Sequence, residues 1–154
     1  MRTMHSPNPF KSYRQIATQT APPGQLVLML FDGVLKSLHC ALLGFDCADF
    51  AERNATVQTH LARAADIIRE LNGSLDMEAG GQLADTLRNL YNFFEQRITA
   101  SNLSKSSDGL HEIIPMLKQL RDAWSAMLAN QSGDLSAAAT MENNRLTPAQ
   151  LKRL

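Results

Sequence analysis

Cysteine and net charge are both scarce in this chain, and each shortage excludes something. The two cysteines, Cys40 and Cys47, match neither a disulfide framework nor a zinc-site spacing. They read as free thiols of a reducing compartment. Lysine plus arginine and aspartate plus glutamate each number 15. That balance removes the electrostatic footprint of a nucleic-acid binder or of a protein held on an anionic membrane. No run of 18 apolar residues occurs, so no membrane-spanning helix is expected. The opening stretch MRTMHSPNPFKSY lacks the apolar centre of a secretory signal. The chain is therefore expected to be cytosolic.

What is present suffices for one domain. The chain has 154 residues, 44% of them hydrophobic, and a domain of that size buries roughly two thirds of the surface its unfolded chain exposes. Four long segments carry helical periodicity and none reads as strand. The first spans about Pro23 to Gly44, with Pro23 suited to a first helical position and Gly44 to a helix end. The second spans about Cys47 to Asn72, with Asp46 as the expected N-cap. Its stripe is Phe50, Val57, Leu61, Ala64, Ile68, Leu71 and Leu75.

The third spans about Gly80 to Leu103 with the stripe Leu83, Leu87, Leu90, Phe94 and Ile98, flanked by Ala84 and Tyr91. The segment AGG before it, Ala79 to Gly81, is too short to cradle phosphate and reads as a helix start that needs close backbone approach. The fourth spans about Asp108 to Asn130, capped by Ser107 or Asp108, with Leu110, Ile113, Leu117, Leu120, Trp124 and Met127 alternating three and four apart. Pro115 falls inside this pattern and is expected to kink it, since proline removes a backbone bond and crowds the preceding turn.

Short connections force consecutive helices to run antiparallel. Helices of roughly 22 residues are all about 33 Å long. The expected architecture is all-α, an antiparallel up-down-up-down four-helix bundle over residues 23–130. Residues 1–22, with Phe10, Tyr13 and Ile16 among three prolines, read as an N-terminal cap segment. The polar, small-residue stretch 131–154 reads as a mobile tail, in which Thr147-Pro148 could open one short helix.

Catalytic chemistry is hard to place on this pattern. Among His5, His39, His60 and His111, none pairs with a carboxylate or cysteine in a way that recurs on another helix. Di-iron bundles need inward Glu-x-x-His motifs, whereas the interior positions here are aliphatic and aromatic. His39-Cys40 with Cys47 straddles a helix end and makes a poor ligand set. No catalytic residue, cofactor or metal is expected.

The first helix is the informative one. QLVLMLFDGVL, Gln25 to Leu35, carries six apolar residues before its first charge. With Leu26 set at zero and about 100° per residue, Leu30, Ala41, Val34, Val27, Leu38, Phe31, Leu42, Leu35 and Leu28 fill an arc from about 40° to 200°. Gln25, Asp32, Lys36 and His39 hold only a narrow polar wedge. Between the two lies a second strip of small residues edged by leucine and methionine: Leu26, Met29, Gly33, Ser37, Cys40 and Gly44. Three covers for it are open: neighbouring helices, the chain's own N-terminal segment, or a partner helix.

NPFKSYRQ, QLVLMLFDGVL, AADIIRELNGSLDMEAGGQLADTLRNLYNFFEQR, ASNL and LKQLRDAW occur in order, and over about Asn8 to Leu128 the chain resembles the FliS family of flagellar secretion chaperones. The resemblance implies a helical bundle that binds the disordered C-terminal segment of flagellin. By it, family members keep flagellin monomeric and export-competent in the cytosol and present it to the export gate. Some members also contact a regulatory partner. Phe10 and Tyr13 match the family's movable N-terminal motif, and Leu26, Met29, Leu30 and Gly33 match its first-helix region. These six are the expected partner-binding residues. A homodimer in the client-free state stays open.

The chain departs from the family at APPGQL, which replaces a common Ser-Pro entry to the first helix, at Phe10 in place of a commoner tyrosine, and at Pro115. A disordered client needs a long apolar track rather than one deep pocket. A helical adaptor with another client is the alternative reading. A metal-binding or enzymatic bundle is disfavoured by the apolar stripes.

Overall fold

The computed structural model describes residues 23–144, with side chains described through Gln131. These residues form an all-α four-helix bundle, with no strand among them: α1 Pro23–Phe45, α2 Phe50–Gly73, α3 Met77–Ser104 and α4 Asp108–Asn144. The chain divides within α4 into two compact units, Met1–Arg121 and Asp122–Leu154. The first unit contains the core.

Only residues 46–49, 74–76 and 105–107 connect the helices, which leaves no slack for parallel crossovers. The contacts confirm antiparallel pairing. Gly33 and Gly44 of α1 meet Ile67 and Thr56 of α2. Arg69 and Asn72 of α2 meet Glu95 and Asn92 of α3. Arg97 of α3 pairs with Glu112 of α4, and Arg121 of α4 returns to Asp32 of α1 at 2.7 Å. Each helix thus has two neighbours, and Phe31 of α1 meets Tyr91 of α3 across the centre, ring centroids 6.4 Å apart.

Local chemistry sets the helix ends, not always where periodicity puts them. α2 begins at Phe50 rather than Cys47, and its N-cap is Asp49 rather than Asp46. The backbone amides of Asp46 and Cys47 still bond back to Leu43 and Gly44, finishing α1. Asp49 Oδ2 then accepts from the Glu52 amide at 2.8 Å, the N-cap arrangement that satisfies an orphan donor of the first turn. Asp76 caps α3, accepting from the amides of Glu78 and Ala79, and Lys105 closes it in the left-handed region at φ 50°.

α4 runs through Pro115, which lies on the exposed side of the helix, where water can reach the carbonyl that proline leaves unbonded. It also runs past the expected end at Asn130 to Asn144. Residues 131–144 contain one glycine and no proline, so nothing in their chemistry stops a helix.

The core is built mainly of aliphatic side chains. Val34, Leu38, Val57, Leu61, Ile68, Phe94, Leu110, Ile113 and Leu117 are fully enclosed, each leucine contributing roughly 1.5–3 kcal/mol of burial. The α2 stripe is as expected from Val57 to Leu71, but Phe50 is 67% exposed. On α3, the buried positions are Ala84, Tyr91, Phe94, Ile98 and Ser101, while Leu83 is 67% exposed. Phe94 and Ile98 are thus buried as the stripe expects, and at the start of α3 the flanking Ala84 takes the core position in place of Leu83. Among the described residues, only α1 is long and apolar enough to cross a membrane. Here eight of its residues are buried in protein.

Candidate partner-binding site

Phe10 and Tyr13 lie outside the described residues. Leu26 and Met29 are half-buried on the opening turns of α1. Leu30 is 5% exposed and belongs to the core. Gly33 faces α2: a methyl added there would sit 3.3 Å from Ile67 Cδ1. Farther along, Ser37 is buried, and a methyl on Gly44 would come within 2.9 Å of Thr56 Cγ2. From Gly33 to Gly44, α2 is what covers the small-residue strip, because absent or short side chains let two backbones approach closely. Leu26 and Met29, ahead of that contact, are the part of the strip left half-open.

A different seam is open. Between α2 and α3 runs a groove of about 210 Å³, with Leu61, Ala65 and Ile98 toward its floor and Asp66, Arg69, Thr99 and Asn102 around it. Leu103 borders this groove at 83% exposure. It also borders a larger concavity of about 480 Å³ along α3, lined by Asn92, Glu95, Gln96, Thr99 and Ala100. Polar side chains hold the seam together. Arg69 Nε donates to Glu95 Oε1 at 2.8 Å and Nη1 to Asp66 Oδ1 at 2.7 Å. Asn72 Nδ2 donates to Asn92 Oδ1 at 3.0 Å, and Arg88 Nε donates to Asn72 Oδ1 at 3.2 Å.

Periodicity concealed this groove because it ranks residues by membership of a stripe. The signal lay in the apolar residues that no stripe absorbed. Leu103 is one, and Leu43, 71% exposed within the polar wedge of α1, is another. Of the two, Leu103 borders a concavity.

Titratable groups do not assemble into a reactive centre among the described residues. No group of three or more His, Cys, Asp or Glu side chains there could hold a metal. Cys40 and Cys47 are free and half-buried. Burial pushes the Tyr91 phenol up to about 12, which keeps it neutral against Phe31. Burial, with Arg63 nearby, lowers the pKa of His60, whose Nδ1 is enclosed without a hydrogen-bond partner.

What the molecule offers, then, is apolar surface on a packed helical scaffold. The sequence model of the family described as "Flagellar protein FliS" matches residues 6–131, most of the chain. The chain belongs to the FliS family. The flagellar secretion chaperone FliS of Escherichia coli (strain K12) is 32% identical over 134 residues, covering 84% of this chain and 96% of the relative. That of Salmonella typhimurium (strain LT2) is 31% identical over 126 residues, covering 79% and 90%. That of Bacillus subtilis (strain 168) is 29% identical over 127 residues, covering 82% and 91%. These FliS relatives are named as chaperones and not as enzymes.

Proposed function

We propose that this FliS-family chain is a cytosolic export chaperone. It binds the disordered C-terminal segment of flagellin, prevents premature polymerisation and supports delivery to the flagellar export gate. The observation that carries the reading is the exposed Leu103 beside the α2–α3 groove, on a scaffold whose α1–α2 seam is closed. A client that orders on binding gains most from an elongated apolar track, which tolerates extended and helical pieces alike. The names of the relatives support flagellar secretion as the setting.

Phe10, Tyr13, Leu26 and Met29 are proposed as client contacts. Leu30 and Gly33 act from within, holding the backbone that presents Leu26 and Met29. The loaded chaperone is recognised at the export gate, and a regulatory protein is a further proposed partner. The test is titration of the purified chain with full-length flagellin and with flagellin lacking its C-terminal segment. Binding to the first and not the second is expected. Equal binding to both overturns the proposed mode, and binding to neither points to an adaptor with another client.

A further inference from the structure

The pair Gly80-Gly81 interrupts α3 four residues after it starts. Gly81 has φ 51° and ψ −128°, a combination open to glycine and costly for any residue with a Cβ. Before it, Met77–Gly80 forms a turn closed on itself. Asp76 Oδ1 accepts from the amides of Glu78 and Ala79, and the Gly80 amide donates to the Asp76 carbonyl at 2.8 Å. The turn's outer residues, Glu78 to Gly80, are exposed, so core packing does not hold it. Its close contact is with Ala84. A methyl on Gly80 would lie 2.7 Å from Ala84 Cβ, and Ala84 is 3% exposed.

The two glycines therefore serve one arrangement. Gly81 lets the chain bend, and Gly80 lets the bent turn lie flat on the first buried residue of α3. We propose that Asp76–Gly81 is a hinged cap over the Ala84 end of the core, which opens when Gly81 rotates to helical values and the turn joins α3 as a continuous helix. Glycine populates both conformations readily, and the Asp76 cap serves the turn in either. In the closed form Ala84 is covered. Opening uncovers Ala84 beside Leu83, which is already 67% exposed, and creates an apolar edge absent from the closed molecule.

The experiment compares the full chain with Gly80→Ala, Gly81→Ala and the double variant. Backbone chemical shifts of residues 77–84, amide exchange at Ala84 and Leu87, and thermal unfolding are measured for each. Alanine at either position opposes the closed form but suits a continuous helix. The expected result is helical shifts running through residue 81, strongest in the double variant, and amide exchange at Ala84 no faster than in the parent, because a continuous helix offers that amide the Gly80 carbonyl, with cooperative unfolding retained. A fall in thermal midpoint with no gain of helical shifts overturns the proposal, since the bend would then be the only conformation the fold accepts. Unchanged shifts at residues 77–84 in all three variants overturn it equally.

Discussion

The two seams flanking α2 are made of opposite materials. Toward α1, Gly33 and Gly44 set backbone against Ile67, Thr56 and Val57 with no room for another methyl at Gly44. Toward α3, Arg69, Asn72 and Arg88 reach out to Glu95, Asn92 and one another across a groove. The first seam is cemented by burial and dispersion, which act over short distances and exclude occupants. The second is bridged by exposed polar pairs, each worth little in water, and leaves apolar floor for something else to cover. One helix thus has a closed seam on one side and an open groove on the other.

The comparison breaks most severely at Leu30. Leu30→Asp places a carboxylate in the closed region, with an expected loss of about 4 kcal/mol, read by circular dichroism and denaturant unfolding. A folded Leu30→Asp chain with weakened client binding would move that position to the surface. The core behind the seam also sets the alkaline limit. Tyr91 titrates at about 12 in the folded chain against 10.0 ordinarily, so the folded state resists losing this proton. Stability from this group is complete below pH 10 and is lost as pH rises toward about 12, an effect of about 2–3 kcal/mol. Tyr91→Phe is expected to flatten that part of the unfolding-versus-pH curve.

Gly44→Val should cost about 1–3 kcal/mol through collision with Thr56 and Val57. Gly73→Ala, where no atom lies within 4 Å, provides the neutral control. On the open seam, Arg69→Ala is expected to cost under about 1 kcal/mol, because its side chain is 55% exposed and its partners face water. The smallest stability effect belongs to Leu103→Asp, within about 0.5 kcal/mol of the parent. Its flagellin affinity should fall by about tenfold, a loss of about 1.4 kcal/mol in titration calorimetry. Equal stability losses at Gly44 and Leu103 would erase the distinction between the seams.

The legible parts of the molecule were those governed by one dominant pattern. The α2 stripe from Val57 to Leu71 has a single apolar face, so its core side could be read directly. Helix ends were less legible. Asp46 and Asp49 are equally good caps in composition, and only the bonds from Asp46 and Cys47 back into α1 leave Asp49 with the role. On α3, the leucine stripe pointed to Leu83 as core, yet packing chose Ala84 and Tyr91. The turn folded on Ala84 and the ring of Phe31 both fit that face. The α2–α3 groove was invisible because it depends on what two helices leave unfilled between them.

By itself the sequence determined four helices, their connections and their antiparallel order, because turn chemistry and chain length act locally. It also marked QLVLMLFDGVL as apolar on more sides than one neighbour can cover. Only the tertiary structure decided which of those sides are taken. A helix that is apolar nearly all round has no preferred orientation of its own, and close packing against α2 at Gly33 and Gly44 supplied one.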